Sequence, residues 1–286
     1  YSAGLGDILN TTFKDNYSET CTDGEHSYAQ GGALSLGEDV WNYKSDIVKL
    51  YADFTNNHAK ATHNALGGAI YIVSDNYYPD IQGTFTGNYA NGDNYGGGGA
   101  IRTGNATTVK NMQATFNENY VKAKNQAAGG AIDNRGTINK ILSDFLNNYA
   151  ESENDTWGGA IYNDGNIVSM ASNFNNNYAK GNNYVYGGII SNYGNITSIT
   201  GSFTQNHAYS KSYAYGGAID NGGTIANITG NFIQNYADGK QDALGGAISN
   251  YEGTINNITG DFTENYVLSD NNAGGGAIDN EGTISN

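Results

Sequence analysis

The sequence predicts an all-β fold: a right-handed parallel β-helix (β-solenoid) of about nine coils, roughly 29–31 residues per coil, with residues 1–286 forming one repeat domain. Three observations predict it. A Gly-Gly unit recurs at Gly31, Gly67, Gly98, Gly129, Gly158, Gly187, Gly216, Gly245 and Gly275. A second unit, F-x-x-N followed by Tyr or His, recurs in step with it at Phe13, Phe54, Phe85, Phe116, Phe145, Phe174, Phe203, Phe232 and Phe262, which are all nine Phe of the chain. Between the units the pattern has strand period, and the abundance of Gly, Asn, Thr and Tyr disfavours helix.

The Phe segment carries the strand signal. Four residues before each Phe lies an apolar side chain, as in Ile141, Met170, Ile199 and Ile228; two before it the residue is usually small, as in Ser143, Ser172, Gly201 and Gly230. Residues two apart share one face of a strand. One such unit cannot bury its own apolar face, whereas stacked copies can, with equivalent residues in columns about 4.8 Å apart. The core ladder is therefore expected to be Phe54, Phe85, Phe116, Phe145, Phe174, Phe203, Phe232 and Phe262. The repeat length suits three short strands per turn, and right-handed winding follows the general handedness of parallel crossovers. Nine coils at the strand spacing make a rod of about 40–45 Å.

Asn57, Asn88, Asn119, Asn148, Asn177, Asn206, Asn235 and Asn265 close the F-x-x-N units. Turns in a stacked coil leave backbone groups unpaired, and an Asn amide can satisfy them while bonding the Asn one coil away. A second Asn column runs through Asn134, Asn163, Asn192, Asn221, Asn250 and Asn280, with Leu36, Ile72 and Thr103 in its place in earlier coils. Regular repetition favours a structural role over glycan binding for both. After the first column comes an aromatic one, Tyr89, Tyr120, Tyr149, Tyr178, Tyr236 and Tyr266, with His58 and His207 interleaved. It reads as an axial ring stack, and it is also the candidate aromatic recognition rail. Gly37–Asp46 interrupts the repeat and is expected to be a surface loop.

Composition narrows the partners. Net charge is −15, with 28 acidic and 13 basic groups. This argues against nucleic acid and anionic membrane surfaces, which require Lys/Arg clusters. No apolar run reaches the roughly 18 residues of a membrane span. Cys21 is the only cysteine, so no intrachain disulfide can form; it reads as a small buried side chain.

The GGA[ILV] unit paired with F-x-x-N, as in Gly67-Gly68-Ala69-Ile70 with Phe85 and Asn88, or Gly158-Gly159-Ala160-Ile161 with Phe174 and Asn177, resembles the polymorphic outer-membrane proteins, a family of bacterial type V autotransporter adhesins. Gly187-Gly188-Ile189-Ile190 departs from the pattern. The resemblance implies a passenger β-helix shown outside the cell by a C-terminal outer-membrane barrel, with a host-surface protein or glycan as partner. It places the chain in the extracellular space or on a bacterial cell surface, as a passenger fragment, a released passenger or a related solenoid with another display route.

Catalysis is the alternative, since polysaccharide lyases and glycosidases also use parallel β-helices. Hydrolysis would need paired carboxylates. The only arginines are Arg102 and Arg135, and the acids are scattered; Asp133, Asp220 and Asp279 share one repeat position, read as a tolerant outward site. The His residues are few, two of them in the Tyr column, and no metal-ligand spacing recurs. No cofactor, metal or catalytic residue is assigned. A flat Thr face for ice or mineral is interrupted at Asn166 and Asn195. The sequons at Asn105, Asn195, Asn227 and Asn257 come with an Asn/Thr-rich repeat.

Both ends cut through a coil, from Tyr1 to Phe13 and again after Ile284. Uncapped coil ends invite pairing with neighbouring coils, from a longer chain or from a second copy stacked head to tail. Such heterologous stacking gives filaments, opposed by the net charge and so favoured by salt. Electron microscopy of the 286-residue chain across a salt series is expected to show filaments lengthening as ionic strength rises; monomers at high salt and high concentration would leave only the longer chain to cover the ends.

Overall fold

The computed structural model describes residues 6–20, 27–37, 47–73 and 79–286. Cys21 and the interruption after Gly37, up to Asp46, lie outside the described residues. The described residues contain strands and no helix. They form a parallel β-solenoid of about eight turns, each turn about 29 residues long in the regular region.

Each turn carries four strands rather than the expected three. In one regular coil these are Asn195–Thr204, His207–Ser210, Tyr213–Tyr215 and Ile219–Asn221. They belong to four parallel sheets, here named the Phe, Tyr, Ala and Ile sheets in that order. The extra strand arises after the Tyr column. The two residues Lys211 and Ser212 reverse the chain there, so the Tyr and Ala strands fold back on each other as a thin arm. Small residues fill that arm: Ala179, Val185, Ala208, Ala214, Ala237 and Ala243 form one closed cluster between its two sheets. The main core lies separately between the Phe and Ile sheets, where Phe203, Ile199, Ile196, Ala218 and Ile219 meet.

Within the main core, columns repeat. Phe54, Phe85, Phe116, Phe145, Phe174, Phe203 and Phe232 are fully buried, and Phe262 is partly buried. Neighbouring rings from Phe13 to Phe262 stack with centroids 4.3–5.2 Å apart. That distance is the inter-strand spacing itself, so a ring in this column can only be followed by another flat ring.

The turns explain the other invariant letters. The residue just before each ladder Asn is left-handed, with φ of 55° at Asn147, 54° at Asn176 and 55° at Gln205. This turns the Asn side chain into the barrel. The backbone N–H and the Nδ2 of Asn148 both donate to Asn177 Oδ1, at 2.9 and 3.0 Å, and Nδ2 also donates to the Phe116 carbonyl at 2.9 Å. Asn177 repeats the pattern toward Asn206 Oδ1 and the Phe145 carbonyl. In the second column, each Asn Nδ2 donates to the next Asn Oδ1 at 2.7–2.8 Å from Asn134 to Asn280, and Thr103 Oγ1 starts the chain by donating to Asn134 Oδ1.

The two glycines of Gly187-Gly188 do different work. Gly187 has φ of 70°, and a Cβ there would run into the Ile190 carbonyl oxygen. Gly188 has ordinary φ, but a Cβ would collide with the Gly217 carbonyl of the next coil. The first Gly thus serves the turn, and the second serves the coil spacing.

Two substitutions should separate these contributions. Phe203→Ala leaves a cavity in the ring column and is expected to cost ~3–5 kcal/mol in chemical denaturation. Asn177→Ala strands the Asn148 N–H, one Asn148 Nδ2 hydrogen and the Phe145 carbonyl; at about 1–3 kcal/mol per buried unsatisfied group, it should cost at least about 3 kcal/mol. Asn176→Gly, at the exposed left-handed residue beside it, should be neutral or stabilising.

Candidate functional site

The Tyr column lies on the outer face of the Tyr sheet. Its rings from Tyr17 to Tyr266, His58 and His207 included, stack with centroids 4.6–5.4 Å apart. Tyr89, Tyr120, Tyr149, Tyr178 and Tyr236 are half-buried, and Tyr266 is exposed. The faces of the inner rings are covered by their neighbours, so what this rail offers solvent is ring edges and hydroxyls. Burial and the adjacent Tyr120 push the Tyr149 hydroxyl up to about 12.

A second aromatic surface lies in the corner between the outer faces of the Ala and Ile sheets. Three columns build it. The residue before each Gly-Gly unit supplies Trp157, Tyr186, Tyr215 and Leu244. The middle residue of each Ile strand supplies Arg102, Asp133, Tyr162, Ser191, Asp220 and Ser249. The residue after the second Asn column supplies Arg135, Asp164, Tyr193, Gly222, Tyr251 and Glu281. The rings here do not form one ladder. Trp157 and Tyr186 are 6.2 Å apart and nearly parallel, Trp157 and Tyr162 are tilted by 58°, and Tyr186 meets Tyr193 edge-on at 77°. Tilted rings leave faces and gaps open to a ligand.

The middle column of the Ile strands is not a tolerant outward site, as the sequence suggests. Asp133 is 0 % exposed and Asp220 3 %. Their side chains do point out of the barrel, but the arm and its aromatic residues roof them. Nor are the arginines isolated from the acids. Arg102 Nη1 pairs with Asp133 Oδ2, Arg135 Nε donates to Asp133 Oδ1 at 2.9 Å, and Arg135 Nη1 donates to Asp164 Oδ2 at 2.8 Å. The Tyr95 hydroxyl donates to Asp133 Oδ2 at 2.7 Å, and Arg135 lies 4.6 Å from the Tyr162 ring centroid. Both oxygens of Asp133 are thereby engaged, so this cluster braces three coils. No carboxylate in it is left as a free base.

Further along the corner the chemistry changes. A pocket of about 610 Å³ is lined by Tyr184, Tyr186, Tyr193, Tyr215 and Tyr251 and by Asp220, Asp242, Glu252, Asp279 and Glu281, together with Leu244, Ser249 and Gly222. No basic residue lines it. Asp220 sits at its floor, and its Oδ1 has no hydrogen-bond partner. Burial pushes its carboxyl up to about 7, with the Ser249 hydroxyl opposing. Among the described residues no group of three or more His, Cys, Asp or Glu is placed to hold a metal ion.

The sequence reading missed this corner because its columns vary from coil to coil, and that reading looked for repetition. The usable signal was the run Trp157, Tyr186, Tyr215 at one fixed offset before Gly-Gly, with Tyr162, Tyr193 and Tyr251 on the facing columns.

Residues 143–164 match the profile of the Chlamydia polymorphic membrane protein repeat. The matched segment runs from Ser143 through the Phe145–Asn148 unit and the Gly158–Ile161 unit to Asp164, and so covers most of one coil, Trp157 and Tyr162 included. In the same comparisons no curated protein and no solved structure matches the chain.

His207 and Asp220 give stability opposite slopes with pH. His207, stacked between Tyr178 and Tyr236, is lowered by burial from 6.5 to about 4. It favours folding above the unfolded value of 6.5, and that contribution is lost as pH falls through 4. Asp220 is raised, so its contribution is present below 3.8 and lost as pH rises through about 7. Thermal unfolding across pH should show that His207→Tyr lessens the acid loss between 6.5 and 4. Asp220→Asn should raise stability at pH 8 and leave it little changed at pH 3.5.

Proposed function

We propose that the chain is an extracellular, non-catalytic passenger of autotransporter type, and that its adhesive surface is the aromatic corner between the Ala and Ile sheets. The single observation that carries this reading is the corner itself. It is where the columns cease to repeat, and it gathers Trp157, Tyr162, Tyr186, Tyr193 and Tyr215 beside open carboxylates. Large amphipathic rings are the side chains that dominate binding surfaces, because they bury much area at small entropic cost. The repeat-family match at residues 143–164 supports a cell-surface setting. The stacked coils then serve as a rigid rod that holds the corner in fixed geometry. A host-surface protein or glycan is the partner class that fits this setting.

Adhesion of cells to the immobilised chain tests the reading. A Tyr186→Ala, Tyr215→Ala double variant should lose most of the binding while keeping its β-sheet circular dichroism. Substituting the exposed edge of the rail instead, as in Tyr266→Ala, should leave binding nearly unchanged. Adhesion that survives the corner double variant and fails with the rail variant would move the site to the rail.

A further inference from the structure

We propose that the Asp220 pocket binds a guanidinium group, the end of an arginine side chain on a partner polypeptide. This inference rests on the reading of the corner as the docking surface and names what part of it recognises.

The argument comes from comparing two coils of the same chain. Asp133 and Asp220 occupy one column of the Ile sheet, three coils apart. Around Asp133 the protein supplies its own cations. Arg102, in the coil before, and Arg135, two residues after, both bind its carboxylate, with Tyr95 and Tyr162 beside them. At Asp220 the corresponding residues are Ser191, paired with Asp220 across the coils, and Gly222, two residues after. Neither carries charge, and the ring of Tyr193, not a cation, lies beside Gly222. The aromatic partner is retained, since Tyr184 stands one coil before Asp220's coil just as Tyr95 stands one before Asp133's. The carboxylate and the first of its two tyrosine positions are kept, Ser249 stands where Tyr162 stands beside Asp133, and the guanidinium is missing.

The surroundings of Asp220 suit an external cation. It is 3 % exposed, its Oδ1 is unpartnered, and it forms the floor of the pocket. A buried carboxylate oxygen without a donor is costly, and its recessed position requires a ligand that reaches inward on a narrow stem. The walls carry Tyr186, Tyr193, Tyr215 and Tyr251, and aromatic rings attract a flat cation. Asp242, Glu252, Asp279 and Glu281 add negative potential, which draws cations in and disfavours acidic ligands. A guanidinium matches better than an ammonium because it is planar, stacks on rings and donates in a fork to a carboxylate.

The probe is N-acetyl-arginine amide, titrated into the full chain at pH 8 and low salt by calorimetry and tyrosine fluorescence, with N-acetyl-citrulline amide as its uncharged counterpart. The arginine compound should bind saturably and the citrulline compound should not. Asp220→Asn should weaken binding by roughly tenfold or more, the loss expected for one charge-assisted hydrogen bond. Affinity should fall between pH 8 and pH 6 as Asp220 takes a proton; the other groups facing it are the wall tyrosines and the four rim carboxylates. Gly222→Arg, which restores the missing cation from within once the Tyr193 ring shifts to admit its Cβ, should also block binding. Equal binding of arginine and citrulline compounds, no binding of either, or full affinity in folded Asp220→Asn would overturn the proposal. So would saturable binding of a neutral oligosaccharide that displaces the arginine compound's signal without dependence on Asp220. Because the probe is a small molecule, its failure alongside intact corner-dependent cell adhesion would sink the cation inference and leave the adhesive reading standing.

Discussion

The fold depends on how a chain can turn corners inside a stack whose layers are less than 5 Å apart. At the Gly-Gly corner the backbone pairs from coil to coil, as from Gly187 N–H to the Tyr215 carbonyl, but the corner after each Phe strand leaves a donor that no backbone carbonyl takes. Here the closing Asn of each F-x-x-N unit solves the problem between coils. Its Oδ1 takes the N–H and Nδ2 of the preceding Asn, and its own Nδ2 returns to that coil's Phe carbonyl. Aspartate would lose the donors, and a longer amide would miss the spacing. The left-handed residue before each Asn, at a modest conformational cost for Asn147, Asn176 or Gln205, is what aims the amide inward.

Once that spacing is imposed, the other columns follow. Phe must stack on a flat ring, Gly188 must clear the Gly217 carbonyl, and small residues, mostly Ala, must fill the thin arm. The outer face of the arm's Ala sheet is free of these demands. Where it meets the Ile sheet, the residues change from coil to coil, from the Arg102–Asp133–Arg135 brace through the Trp157–Tyr186–Tyr215 rings to the acidic pocket. Structural duty is thus confined to the repeated positions, and chemical variety to the corner the arm creates.

Much of the fold was legible because columns demand repetition. The Phe and Asn units could be counted directly, and the family match at residues 143–164 falls on one coil of that count. The arm was not legible as two strands. Its reversal carries Gly in only some coils, at Gly92, Gly181 and Gly239, with polar residues such as Lys211 and Ser212 elsewhere, and its buried residues are mostly single alanines, which carry little hydrophobic signal. The corner stayed hidden for a related reason. The burial of Asp133 and Asp220 depends on the arm standing over them, so a position polar in every reading of the sequence becomes interior only when the four-strand coil is known. Arg102 comes from the neighbouring coil, and only the register brings it to Asp133 and to Arg135, which lies two residues further along the same coil.

Amide hydrogen exchange at the ladder asparagines tests the central claim most directly. The backbone N–H groups of Asn148, Asn177 and Asn206 sit in turns, yet each donates to a buried side-chain oxygen one coil away. They should therefore exchange as slowly as the strand amides of Ile199 and Phe203, in the slowest class of the molecule. Exchange at the rate of ordinary turns, with the flanking strands still protected, would contradict the account and show that the stack holds together without the asparagine ladder.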